Sequence, residues 1–152
     1  VISPCLDPDF GFRAEAGGHM SMRVYSGGGK KVLVGYEGFT IETDQSVKNG
    51  GECSAPEPFD LFLAALGACA GHYVYSFCEK RDIPIDGITV MQSVDRDKQT
   101  KMIEKVRIEI ALPGDFPQKY VSGVVRSAAL CTVKKQLNPS IAFEITTRSV
   151  SG

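Results

Sequence analysis

Apolar and polar positions alternate with a period of two from Met20 onward. Met20, Met22 and Val24 come first, Gly27-Gly28-Gly29 interrupts, and Val32, Val34 and Tyr36 alternate next. After Gly38 come Phe39, Ile41 and Thr43. Period two marks strands with one buried face, and glycine-rich breaks between short runs mark turns. Residues 20–43 are therefore expected to form a three-stranded antiparallel meander. The polar, glycine-rich stretch 44–55 reads as a loop. The glycine triplet precedes Lys30 and Lys31, but it lacks the spacing of a phosphate-binding loop and leads into a strand, so it is read as a turn.

The pattern then changes. Residues 61–78 contain no Asp, Glu, Lys or Arg and are apolar nearly all round. Pro58 stands where the first turn of a helix tolerates proline. A helix without a polar face is either buried or spans a membrane, and this run is close to the roughly 18 residues that a span needs. Gly67, Gly71 and several alanines lower its hydrophobicity, and amphipathic strands surround it, so burial is expected.

Beyond Pro84 and Gly87, Ile88, Val90 and Val94 share one strand face. The charged turn 95–101 leads to the cleanest alternation in the chain. There Val106, Ile108, Ile110 and Leu112 point one way, and Lys105, Arg107 and Glu109 the other. Pro113, Gly114 and Pro117 end that strand. A second long helix is expected over 118–137, with Val121, Val124, Ala128 and Cys131 on its apolar stripe and Asn138-Pro139 as its stop. Ile141, Phe143 and Ile145 make a last strand. The order is βββ–α–ββ–α–β, an α+β chain with antiparallel pairing expected between neighbours joined by short turns.

Length and composition add little to this. The 152 residues suit one domain, read as 20–152, with 1–19 as an appended arm of uncertain origin broken by Pro4, Pro8, Gly11, Gly17 and Gly18. Residues 1–18 lack the basic start and apolar run of a signal peptide. A net charge of −1 gives no electrostatic reason to expect nucleic acid or an anionic membrane as partner. Five cysteines, at 5, 53, 69, 78 and 131, are odd in number and form no CxxC pair. That is unlike a secreted disulfide framework, so free thiols in a cytoplasmic protein are expected.

Cys69 is the first candidate for chemistry. Unpaired cysteine is often just a small buried hydrophobe. Here, however, Gly67, Ala68, Ala70 and Gly71 leave the sulfur approachable, and Cys131 on the inward stripe of the other helix is placed to meet it. His72 lies about 60° around the helix from Cys69. It reads either as a base or positive neighbour of the thiol, or as a packed histidine satisfied by one hydrogen bond. Cys78, nine residues on from Cys69, points to the opposite face and reads as packing. Cys53 in the loop and Cys5 in the arm read as incidental. Cys69, His72 and Cys131 lack a fourth ligand, so no metal is expected, nor any other cofactor.

The segment 54–69, Ser-Ala-Pro-Glu-Pro-Phe-Asp-Leu-Phe-Leu-Ala-Ala-Leu-Gly-Ala-Cys, resembles the signature of the OsmC/Ohr family. The stretch 130–139, Leu-Cys-Thr-Val-Lys-Lys-Gln-Leu-Asn-Pro, is similar to that family's second motif. The resemblance covers residues 20–150. It implies an OsmC-like fold of antiparallel sheets around two long helices, in an intertwined homodimer. It also implies a peroxidatic Cys69 that forms a sulfenic acid on an organic hydroperoxide, and a resolving Cys131 that closes a disulfide for an external dithiol to reduce.

Better-known members carry a glutamate directly after the motif proline, paired with an arginine from the first strand turn. Here Phe59 follows Pro58, and Glu57 and Asp60 are each one step out of register. The arginine's place falls to Lys30 or Lys31, with Arg23 earlier in the chain. A lysine offers a point charge without arginine's planar fork, so the chain resembles a divergent OsmC-like branch. Three readings of function follow: a peroxidase acting on organic hydroperoxides, a non-catalytic module that binds a hydrophobic small molecule or senses redox state, and a cysteine acyl hydrolase using Cys69 with His72.

Overall fold

The computed structural model describes residues 21–137 and 142–150. Cys5, Met20, the arm and the Asn138-Pro139 stop lie outside the described residues. The chain divides into two compact units, Val1–Phe62 and Leu63–Gly152.

In the first unit the meander is present: β1 (Arg23–Gly28), β2 (Lys31–Tyr36) and β3 (Phe39–Thr43), in that order and antiparallel throughout. Val34 pairs with Val24 on one side and Ile41 on the other. The β2–β3 turn has Glu37 at φ 47° and Gly38 at φ 80°, the two left-handed positions of a tight hairpin. The following loop is organised by Asp44, only 1% exposed. Its carboxylate accepts from the backbone N–H groups of Gln45, Glu52 and Ser54 and from the Ser54 hydroxyl, at 2.8–3.1 Å. These donors, the Ser54 amide foremost, outweigh burial and hold the carboxyl at about 2.

In the second unit α1 (Pro58–Glu79), whose first residues belong to the first unit, buries Leu66, Ala70, Gly71, Val74 and Cys78, nearly one residue per turn. Sheet strands β4 (Thr89–Arg96), β5 (Ile103–Pro113) and β6 (Ala142–Val150) lie in that order. Val106, Ile108, Ile110 and Leu112 of β5 are buried as their alternation requires. Its other face carries Arg107, which bonds Asp95 and Glu144 on the two neighbouring strands. Packed in the same core is α2 (Val121–Ala128), through Val124 and Ala128. Gly123 permits its close approach, since a Cβ there would lie 2.5 Å from Cζ of Phe77 on α1.

Three expectations need correction within an α+β order that otherwise holds. The second sheet is mixed, because β6 runs parallel to β5 while β4 and β5 are antiparallel. The helical segment between β5 and β6 carries the chain back to its starting end, and such a crossover makes the following strand parallel. Nor is 118–137 one long helix. It comprises a 3-10 turn (Gln118–Tyr120), α2, and a single-turn α3 (Thr132–Lys135) after a break. Cys131 causes that break, with φ −40° and ψ 117°, far from helical values. Nor is α1 buried all round. Ala64, Ala65, Ala68 and His72 are exposed, and 28% of its most apolar stretch is buried.

Candidate functional site

Cys69 lies one residue off the buried stripe of α1, between exposed Ala68 and buried Ala70, and is itself partly exposed. It is free, as are buried Cys78 and Cys131 and exposed Cys53. What meets it is the turn that breaks the second helix. At that turn Cys131 is the N-cap of α3, and its sulfur accepts the Lys134 N–H at 3.3 Å. Its thiol lies 3.9 Å from the Leu66 carbonyl, so the side chain is directed at α1. Helix starts leave backbone N–H groups without intrahelical partners. The amides of Thr132 and Val133, at the start of α3, are among the groups that lower the Cys69 thiol.

The two thiols are driven in opposite directions. Burial pushes Cys69 up, but the Cys131 thiol and the N–H groups of Val133 and Thr132 together outweigh it, and Cys69 sits below the ordinary thiol value. Cys131 is raised, first by its own burial and then by its bond to Cys69. Cys131 has a single S–H, and a thiolate is a stronger acceptor than a carbonyl at 3.9 Å. Neighbouring thiols of which one is lowered and the other raised are the arrangement that thiol–disulfide chemistry needs. Cys78 differs, being fully buried and raised by that burial.

The other sequence candidates are placed as follows. The exposed ring of His72 stands edge-on to Tyr73, with centroids 5.8 Å apart. Glu57 lies in the first unit, directly before α1. Its carboxylate accepts the Ser46 N–H at 2.9 Å and the Asn49 amide at 3.4 Å, which hold it below the usual carboxylate range. Asp60 accepts the Glu57 N–H at 3.2 Å, as the third helical residue of a capping box does. Arg23 opens β1, with its guanidinium 6.0 Å from the Tyr25 ring centre. Lys30 lines a cleft of about 280 Å³ with Gly29, Lys31, Asp44 and Glu52, where Lys31 pairs with Glu52 at 2.8 Å. Among the described residues no group of three or more His, Cys, Asp or Glu is placed to hold a metal ion.

Residues 132 and 133 were not among the sequence candidates, because their contribution is made by backbone. Tyr73 was also missed. It lies four residues beyond Cys69, hence on the same helix face, and its hydroxyl is hydrogen bonded to Thr132 Oγ1 at 3.0 Å.

Residues 51–146, more than half the chain, match the family model described as OsmC-like protein. No curated protein sequence matches the chain. Several solved structures share its fold. A Psychrobacter arcticus protein, described as a candidate osmotic stress induced and detoxification response protein, is 22% identical. It aligns over 86% of this chain and 97% of its own with a TM-score of 0.72. An organic hydroperoxide resistance protein OsmC from Legionella pneumophila is 15% identical over 87% and 97%, with a TM-score of 0.59. The organic hydroperoxide resistance protein of Elizabethkingia anophelis is 15% identical over 87% and 96%, with a TM-score of 0.61.

Proposed function

The chain belongs to the OsmC-like protein family, and from that premise we propose that it is a thiol-dependent peroxidase that reduces organic hydroperoxides. The observation that carries the proposal is the meeting of two free thiols, with the Cys131 sulfur 3.9 Å from the Leu66 carbonyl one helical turn before partly exposed Cys69, the one thiol lowered and the other raised. The Cys69 thiolate attacks the terminal oxygen of the hydroperoxide, the O–O bond breaks, and the departing alkoxide takes a proton to leave as the alcohol. Cys69 is then a sulfenic acid. The Cys131 thiol condenses with it, releasing water and forming a disulfide. An external dithiol reduces that disulfide by exchange and is itself oxidised. A cycle of this kind needs a reducing compartment, so the cytoplasm is the proposed location.

The neighbourhood supports an organic substrate. Ala64, Ala65 and Ala68 are exposed on α1, and Leu130, adjoining Cys131, is 51% exposed. Apolar surface of this kind favours an alkyl or aryl hydroperoxide over hydrogen peroxide. The same exposure supports a homodimer, because a second copy would cover the apolar face that α1 leaves open. Sedimentation at micromolar concentration tests this, and a compact monomer would contradict it.

The non-catalytic reading has one supporting observation. Glu57 is already engaged by Ser46 and Asn49, so the acid nearest the family position has a structural task within its own unit. The void beside Cys131, lined by Leu66, Ala70, Ile108, Ala128, Phe143 and Ile145, measures about 10 Å³, room for one water, so a bound molecule of the module reading would lie outside it. Peroxide consumption with a dithiol reductant separates the two readings. The peroxidase reading expects faster consumption of cumene hydroperoxide than of hydrogen peroxide. No consumption of either, with Cys69 left reduced, would favour the module.

A further inference from the structure

Cys69 owes its three donors to a turn that no regular helix holds in place. Residues 131–133 follow the last turn of α2, and α3 beyond them is only four residues long. Helices of that length have no stability of their own. The turn is tied from one side by Cys131, through Lys134 N–H and the Leu66 carbonyl. A second tie to α1 is present. Tyr73 stands one helical turn beyond Cys69, and its hydroxyl is bonded to Thr132 Oγ1 at 3.0 Å across 59 residues of sequence. The backbone N–H of the same Thr132 is one of the groups that lower the Cys69 thiol. The Tyr73 bond thus ties the turn to the face of α1 that carries Cys69.

We propose that Tyr73 is a positioning residue for the cysteine pair, its hydroxyl holding Thr132 so that the Thr132 and Val133 amides and the Cys131 thiol stay beside the Cys69 sulfur. The inference rests on Cys69 being the reactive thiol, but not on the identity of its oxidant. Tyr73 does not touch the reacting sulfur; it acts through Thr132. In its absence the turn is free to move away from α1, and the thiolate loses donors that it alone needs. The thiol form loses little, so the consequence falls on the ionised state.

The test is the pH dependence of Cys69 alkylation by iodoacetamide, followed site by site by mass spectrometry so that the other cysteines do not interfere. The ionisable neighbours to be held constant are Cys131 and Lys134 from the facing turn and α3, and His72 on α1. Tyr73→Phe removes only the hydroxyl. One neutral hydrogen bond is worth about a two- to tenfold effect. Alkylation at neutral pH is therefore expected to slow by that factor, with the wild-type rate recovered at alkaline pH, where Cys69 is fully ionised. Thr132→Val should do the same, Thr132→Ser should retain the wild-type profile, and the double variant Tyr73→Phe/Thr132→Val should be no slower than either single one. An unchanged profile in Tyr73→Phe, or additive effects in the double variant, would overturn the proposal. So would equal slowing at all pH values, because that is the mark of lost packing. Peroxide consumption by the wild type is measured alongside. If the profile shifts and the wild type consumes no peroxide, the inference stands and the peroxidase reading falls.

Discussion

Cys131 has two tasks in this account, and two substitutions separate them. By the proposal it lowers the Cys69 thiol by donating its S–H, and it supplies the thiol that resolves the sulfenic acid. Cys131→Ser keeps a donor for Cys69 and an acceptor for the Lys134 N–H, which now meets the sulfur at 3.3 Å. Cys131→Ala keeps neither. A hydrogen bond to a charged group contributes about 1.5–3 kcal/mol, and a thiol is a weak donor, so the lower figure applies. About 1.4 kcal/mol is tenfold in rate or equilibrium. Alkylation of Cys69 at neutral pH is therefore expected to slow roughly tenfold in Cys131→Ala and only slightly in Cys131→Ser. Both variants should consume one equivalent of organic hydroperoxide per chain without turnover. Cys69 accumulates as sulfenic acid, and a second equivalent carries it to sulfinic acid, both visible by mass spectrometry. Full turnover in Cys131→Ser would refute the assignment of Cys131 as resolving thiol. Unchanged alkylation in Cys131→Ala would refute its part in holding the thiolate.

Three further outcomes are expected. Gly123→Ala would place a Cβ 2.5 Å from Cζ of Phe77, whose ring lies under Arg81 at 3.8 Å and edge-on to Tyr120. Overpacking of about 1–3 kcal/mol exceeds the roughly 1 kcal/mol gained in helix propensity. The variant should therefore melt up to roughly 8 °C lower, with Phe77→Leu restoring the loss, and a higher Tm would contradict the packing described. Asp44 is held at about 2, below its unfolded value, so its stabilisation is present above the unfolded value and is lost as pH falls through about 2. The Glu52 and Ser54 amides should show that loss as faster corrected hydrogen exchange over that window, and Asp44→Asn should show it already at neutral pH; protection in Asp44→Asn equal to wild type would contradict it. Cys78, fully buried and raised by burial, should react with iodoacetamide far more slowly than Cys69 in the folded protein, and equal rates would count against Cys69 as the reactive thiol.

Local patterns made much of the fold readable. The start of α1 is marked by Pro58 and the absence of charge over 61–78, and the facing of Cys69 and Cys78 follows from 100° per residue. The buried row on β5 follows from strict alternation. The break at Cys131 was not readable in this way. Residues 128–137 contain neither glycine nor proline and keep a helical period across the break. A capping sulfur and contacts to α1 outweigh that propensity, and such contacts lie 59 and 65 residues away in sequence. The parallel β5–β6 pairing is likewise a property of the crossover, not of either strand. At the site, side chains were legible and backbone was not. Cys69 and Cys131 stood out by residue type and spacing, whereas the amides of Thr132 and Val133 carry no mark in the sequence. Glu57 shows the converse, because its binding of Ser46 and Asn49 depends on how the 44–57 loop folds back.

The central claim is that Cys69 and Cys131 form a working pair, and peptide mapping by mass spectrometry tests it most directly. The reduced protein is treated with one equivalent of cumene hydroperoxide, free thiols are blocked, and the chain is digested without reduction. The account predicts a Cys69–Cys131 disulfide within a single chain, lost on treatment with a dithiol. Cys69 found reduced while peroxide persists, or joined instead to Cys53, would contradict it.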